Sequence, residues 1–187
     1  MLSEIMKKKL THHFNFQDHN KDTFVEQSDW EQCAKNLAKE RGWDTRSEEY
    51  KDILKKHVEI WDTFWKPADQ GGDGKVSLEE YLSLAGEQRK KAGFSMNSIS
   101  ELFGIVFDAI DFDNDKKIML ADYQKYFKAW GVNESLAKAA FSDIDISDDG
   151  LVSRMLFIQC AANFFTSDEP TDFGNLMFGP YEPDAES

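Results

Sequence analysis

One pattern repeats four times along the chain and leaves little freedom of fold. Apolar residues at helical spacing lead into a twelve-residue loop rich in Asp, an apolar residue stands at the loop's eighth position, and an aromatic follows the twelfth. The loops run from Asp18 to Asp29, Asp69 to Glu80, Asp111 to Asp122 and Asp145 to Leu156. They are followed by Trp30, Tyr81, Tyr123 and Phe157, and their eighth positions hold Val25, Val76, Ile118 and Val152. Asp-rich surface turns would explain the composition but not this shared register.

The loop spacing matches the needs of a hard divalent cation. Calcium takes six to eight oxygens at roughly 2.3–2.6 Å. Side-chain oxygens at positions 1, 3 and 5, a backbone carbonyl at 7, a water or carboxylate near 9 and a bidentate carboxylate at 12 can enclose it. Position 6 turns sharply, which favours Gly because φ > 0 costs it nothing. This is the EF-hand arrangement. The sequence reads as all-α: four EF-hand helix-loop-helix units paired into two packed lobes, with two-residue β bridges between paired loops at the position-8 residues.

The loops are unequal. The first offers Asp18, Asn20, Asp22, the Phe24 carbonyl, Glu26 and Asp29, with Thr23 in place of the turn Gly at a cost of roughly 1–2 kcal/mol. The second offers Asp69, Asp73, the Lys75 carbonyl and Glu80, with Gly74 at the turn, but Gly71 leaves position 3 to a water. The third has the fullest oxygen set, Asp111, Asp113, Asp115, the Lys117 carbonyl and Asp122, with Lys116 at the turn. The fourth keeps Asp145, Ser147, Asp149 and Gly150 but ends in Leu156, which cannot ligate. Three calcium sites and one empty structural loop are expected. Asp at position 12 in the first and third loops is one methylene shorter than Glu, so six-coordination becomes accessible and magnesium is expected to compete there.

Flanking residues carry the core. Trp61, Phe64 and Trp65 precede the second loop. Ile99, Leu102, Phe103, Val106, Phe107 and Ile110 precede the third, and Tyr123, Tyr126, Phe127 and Trp130 follow it. Phe157, Ala161, Phe164 and Phe165 follow the fourth. At helical spacing these aromatics are core before they are a ligand cage. Loop starts are separated by 69 − 18 = 51, 111 − 69 = 42 and 145 − 111 = 34 residues. The first pair therefore holds longer helices or an inserted turn near Arg41-Gly42-Trp43-Asp44. We divide the chain into residues 1–92, 93–166 and a tail, 167–187. The boundary falls near Lys91-Ala92-Gly93, with Ser95 or Asn97 capping the next helix. The tail's Phe173, Leu176, Met177 and Phe178 are expected to dock on the body, with Asp184-Ala185-Glu186-Ser187 disordered.

Composition excludes several classes. A net charge of -13 argues against nucleic acid as a partner. Cys33 and Cys160 form no CxxC or Cys/His pair, so zinc is not expected and buried free thiols are. Met1-Leu2-Ser3-Glu4-Ile5 has no apolar signal core, Leu2 does not fit the myristoylation motif, and no stretch is apolar enough to span a membrane. A cytoplasmic monomer is expected. The Lys7-Lys8-Lys9 run reads as a solvated helix face. His12-His13 and His19 read as surface residues, Asn133 as a helix cap, Asp172-Phe173-Gly174 as an isolated kinase-like tripeptide and Gly71-Gly72-Asp73-Gly74 as no phosphate loop. No catalytic activity is expected.

With these residues in place, the chain resembles the invertebrate sarcoplasmic calcium-binding protein and calexcitin family. The resemblance covers nearly the whole chain. It rests on the wide first spacing, Asp69…Val76-Ser77-Leu78-Glu79-Glu80-Tyr81, the degenerate fourth loop and the ending Gly174-Asn175-Leu176-Met177-Phe178-Gly179. It implies a compact two-lobed helical fold, an empty fourth site, a tail packed on the body, and a cytosolic role as calcium and magnesium buffer or, for the calexcitin branch, as a sensor with a protein partner. Six Met against 15 Phe favour the buffer, because a sensor opens a Met-rich groove. A luciferin-binding or photoprotein-like carrier is a third reading, weakened because photoproteins resemble one another in ending with Pro and this chain ends in Ser187.

Overall fold

The computed structural model of the protein describes residues 2–90 and 96–181. The boundary expected at Lys91-Ala92-Gly93, the capping side chains of Ser95 and Asn97, and the end of the tail at Asp184-Ala185-Glu186-Ser187 lie outside the described residues.

Each loop sits between two helices. In order these are α1 (Glu4–Gln17), α2 (Gln27–Glu40), α3 (Glu48–Ile60), α4 (Leu78–Lys90), α5 (Met96–Ile110), α6 (Leu120–Ala129), α7 (Leu136–Ile144) and α8 (Arg154–Thr166). Ser3, Ser47 and Ser153 cap α1, α3 and α8, each accepting from a backbone N–H three residues on. Such a cap contributes about 1 kcal/mol. The wide first spacing comes from both expected sources. A turn covers residues 41–47, and α3 runs on through a π-helical stretch, Trp61–Trp65, into a 3₁₀ turn, Lys66–Ala68. The wider π turn leaves Trp61 and Trp65 both buried.

Loops pair through short antiparallel strands. β1 (Phe24–Glu26) pairs with β2 (Lys75–Ser77), with Val25 opposite Val76. β3 (Lys117–Ile118) pairs with β4 (Val152–Ser153), with Ile118 opposite Val152. The first bridge is three residues long, not two, because Glu26 also faces Lys75 and the pair is held by their side chains.

The two pairs of units share one aromatic core. Trp30 meets Trp130 edge-on at 4.9 Å, Phe16 meets Phe127 at 5.0 Å, and Trp65 stacks on Tyr81 at 4.7 Å. Edge-on and offset ring pairs add about 0.5–1.5 kcal/mol each beyond their buried area. The tail folds back into the same core. Phe178 lies 4.5 Å from the His13 ring and 4.9 Å from Phe164, and Met177 and Phe178 are buried. Gly174 lets the tail cross α8: its φ is +86°, and a Cβ there would stand 2.8 Å from the Cys160 Cα. Cys33 and Cys160 are free and buried.

Three expectations are overturned here. Lys9 is buried, not solvated. Its ammonium donates to Asn175 Oδ1 at 2.8 Å and to the Ser167 carbonyl at 2.8 Å, and lies over the Phe164 ring. Burial lowers its pKa to about 8. His13 is also buried, with Nδ1 2.8 Å from the Tyr81 hydroxyl and its ring stacked on Trp65. Burial drives its pKa down to about 3, so it is neutral. Asn133 does not occupy the cap position of α7. Ser135 does, and Asn133 Oδ1 accepts from its N–H at 2.9 Å, holding the turn before the helix.

Candidate metal centres

The four loops share one backbone path. Position 6 has positive φ in each: Thr23 at 76°, Gly74 at 84°, Lys116 at 69° and Gly150 at 77°. Position 4 does too, at Lys21, Gly72, Asn114 and Asp148, with φ from 53° to 68°. Only position 6 was foreseen. The second left-handed residue is hidden in sequence because Asn and Asp tolerate that conformation and Lys21 gives no signal. Each position-1 carboxylate holds this path by accepting the position-6 N–H. The distances are 3.0 Å for Asp18 and Thr23, 2.9 Å for Asp69 and Gly74, 3.1 Å for Asp111 and Lys116, and 2.9 Å for Asp145 and Gly150.

The third loop gathers the most charge. One oxygen from each of Asp111, Asp113 and Asp115 lies within 4.8 Å of the others. Asp111 is fully buried, while Asp113 and Asp115 face solvent. Asp122 is buried, accepts the Met119 N–H at 3.1 Å, and has its pKa raised by that burial. Lys117 begins β3, so its carbonyl sits where the loop meets the strand.

In the first loop, Asp18 and Asp29 are buried and Asn20 and Asp22 are exposed. Asp29 Oδ1 reaches back to the Asn20 N–H at 3.4 Å, closing the ring, and Oδ2 accepts the Glu26 N–H at 2.8 Å. Burial pushes the Asp29 carboxyl up to about 6, and Asp18 and Asp22 nearby add to the push. Phe24 starts β1. Glu26 forms an ion pair with Lys75, whose ammonium is also 3.9 Å from Asp22. Lys75 thus stands at position 7 of the second loop with its side chain against the first.

The second loop converges on an empty position. A Cβ on Gly71 would find Glu80 Oε1 at 3.8 Å, Asp69 Oδ1 at 3.9 Å and the Asp73 Cγ at 4.0 Å. Glu80 accepts from the Gln70 and Gly71 N–H groups with one oxygen and from Ser77 with the other. In the fourth loop Leu156 packs against the apolar core, and Asp145 Oδ1 is buried with no hydrogen-bond partner among the described residues.

Every donor in these loops is an oxygen, most are carboxylates, and like charges a few ångströms apart repel. Such a set fits a hard divalent cation, and calcium before zinc because no imidazole or thiolate takes part.

Helices, paired loops and carboxylate rings together define a calcium-binding EF-hand protein. No protein-family model matches the chain. A sarcoplasmic calcium-binding protein of Perinereis vancaurica tetradentata is 26% identical over 178 residues, 95% of this chain and 99% of the relative. Among solved structures, the sarcoplasmic calcium-binding protein of amphioxus superposes with a TM-score of 0.72 at 20% identity, over 97% of this chain and 100% of that one. The coelenterazine-binding protein of Renilla muelleri, in its calcium-loaded apo form, gives a TM-score of 0.74 at 22% identity over 95% and 99%. The chain is thus similar to sarcoplasmic calcium-binding proteins along nearly its whole length, and it shares the fold of the amphioxus protein. No helix among the described residues is long and apolar enough to cross a membrane.

Proposed function

We propose that the protein is a cytosolic, monomeric calcium buffer with metal sites in its first three loops and a fourth loop that serves as a structural partner. The carrying observation is the contrast at position 12. Asp29, Glu80 and Asp122 turn their carboxylates back onto their own loops, whereas Leu156 joins the core. Asp18, Asn20, Asp22, the Phe24 carbonyl and Asp29 would hold the first ion, with Glu26 near it. Asp69, Asp73, the Lys75 carbonyl and Glu80 would hold the second. Asp111, Asp113, Asp115, the Lys117 carbonyl and Asp122 would hold the third. Bound calcium neutralises the clustered carboxylates, and magnesium competes at the first and third loops, whose closing Asp is short. Buffering rather than sensing fits a core already filled by the tail's Met177 and Phe178.

Calorimetric titration of the chelated protein tests this. Three ions per chain are expected, with the first and third weakened by millimolar magnesium. Four ions, or none at millimolar calcium, would overturn it. Strong calcium-induced binding of a hydrophobic dye would replace the buffer by a sensor that regulates a protein partner.

A second reading, carriage of a flat aromatic ligand, is favoured by one observation. The interior holds a void lined by His13, Gln17, Trp30, Trp65 and Phe178, and Trp30 Nε1, Trp65 Nε1 and Gln17 Oε1 around it are buried with no hydrogen-bond partner among the described residues. The void is about 10 Å³, space for one water. A ligand would therefore have to displace side chains. Coelenterazine that fails to quench tryptophan fluorescence at micromolar concentration would remove this reading.

A further inference from the structure

Arg41 stands at the C-terminal cap of α2, and its side chain leaves its own EF-hand. One terminal nitrogen donates to the carbonyls of Ala109 at 2.9 Å and Asp111 at 3.0 Å, and the other to that of Phe112 at 3.4 Å. The guanidinium also lies over the rings of Trp43 and Phe112, whose centroids are 4.9 and 4.4 Å from Cζ. These carbonyls are where α5 ends and the third loop begins. A helix C-terminus leaves such groups without intrahelical partners and carries a partial negative charge. A planar fork of donors meets both needs at once, which a lysine cannot.

The other end of the same helix closes the first loop through Asp29. Between the two ends, α2 lies against α6, the helix that carries Asp122 of the third loop. Trp30 packs on Trp130, Asn36 Nδ2 donates to the Ala129 carbonyl at 2.8 Å, and Glu40 pairs with Lys128 at 2.8 Å. One helix therefore holds the exit of the first loop and the entrance of the third.

We propose that Arg41 is a positioning residue for the third loop: it fixes the backbone entering that loop and, through α2, makes calcium affinity there depend on occupancy of the first loop. The inference rests on reading the first and third loops as calcium sites. It has a rival with the opposite sign. A cation beside Asp111 and Asp122 repels an incoming ion, so if charge were its only effect, removing Arg41 would tighten the site.

The test is a calcium titration of the full chain, labelled with nitrogen-15 and first stripped of metal. Four amides report the loops separately, because Thr23, Gly74, Lys116 and Gly150 each donate to the first carboxylate of their own loop. In Arg41→Met the half-saturation at Lys116 is expected to rise about tenfold, as for loss of an outer partner of a metal ligand, while Gly74 is unchanged. Arg41→Lys keeps the charge and loses the fork, and is expected to follow Met. Asp18→Asn, which disables the first loop, is expected to weaken the Lys116 response in the parent and to add nothing in the Arg41→Met background. A metal-free readout accompanies these. Hydrogen exchange at Lys116 quickens in Arg41→Met while the melting temperature of the chelated protein stays close to the parent's. Should Arg41→Met fail to fold, Arg41→Lys and Asp18→Asn decide alone. An unmoved or tighter Lys116 response in the Arg41 variants, or one indifferent to Asp18→Asn, overturns the proposal. No Lys116 response in the parent would instead remove the third site on which it rests.

Discussion

The third and fourth loops are built alike and end differently. Both turn through left-handed residues at positions 4 and 6, both lock position 1 onto the position-6 amide, and both have a position-5 carboxylate accepting from position 7, at 2.8 Å for Asp115 and 3.0 Å for Asp149. They then pair with each other through Ile118 and Val152. At position 12 the third loop has a buried carboxylate that caps its own helix, and the fourth has a half-buried leucine packed against the core. Loop shape and metal chemistry are therefore separable. Turn residues, backbone hydrogen bonds and the β bridge carry the shape, and on the proposed reading the side chain at the start of the exiting helix decides whether the ring can close.

The sharpest way to break this comparison is to make the third loop into the fourth. Asp122→Leu is expected to weaken calcium at the third loop by more than about 100-fold, beyond what loss of an outer-shell partner costs. The Lys116 amide in the chelated protein should stay where it is. If its metal-free resonance moves substantially, the twelfth residue shapes the loop and the separation fails. The reverse exchange, Leu156→Glu, should give the fourth loop a calcium site on the order of 10⁻⁴ M or tighter, raising the stoichiometry by one in calorimetry. It also removes a half-buried apolar group that packs against the core, so its melting temperature without metal should fall.

Acid provides a third test, because both loops hang on one body. His13 and His57 are buried and neutral, with pKa values pushed down by burial to about 3 and about 4 from an ordinary 6.5. A depressed pKa means that their contribution is whole above pH 6.5 and is lost as pH falls towards the folded values, at up to about 1.4 kcal/mol per pH unit for each group. Urea unfolding of the chelated protein at pH 7, 6 and 5 should show this decline, and His57→Gln should flatten it. A midpoint constant over that range would mean that the buried carboxyls of Asp29 and Asp122, whose raised pKa values favour the folded state as pH falls, offset the two rings.

Much of this was legible in sequence because it is local. Twelve-residue loops, their register and the β bridge each follow from residues a few positions apart. What stayed hidden depends on distant partners. Lys9 reads as part of a charged run, yet it shares a helix face with Met6, Leu10 and His13, and carbonyls more than 150 residues away receive its ammonium. That face was the available signal. Arg41 lay in the stretch marked as an inserted turn, but nothing nearby announces that its acceptors are Ala109, Asp111 and Phe112. His13 looked like half of an exposed pair because its hydroxyl partner, Tyr81, follows a different loop.

The smallest effect concerns a contact that the first loop pair makes and the second lacks. In the first pair, Lys75 at position 7 of the second loop meets Glu26 at position 9 of the first and approaches Asp22. In the second pair the same places hold Leu151 and Met119. If the first loop is a metal site as proposed, Lys75 competes with the ion for its carboxylates, while the Lys75 backbone belongs to the second loop. The pair is partly exposed, and exposed ion pairs contribute little. Lys75→Met should accordingly tighten calcium at the first loop by about twofold to fivefold at low salt, read from the Thr23 amide, and leave the Lys116 response unchanged. The gain should vanish in 1 M salt, where the screening length falls to about 3 Å. A gain that survives salt would point instead to altered packing of the β1–β2 bridge.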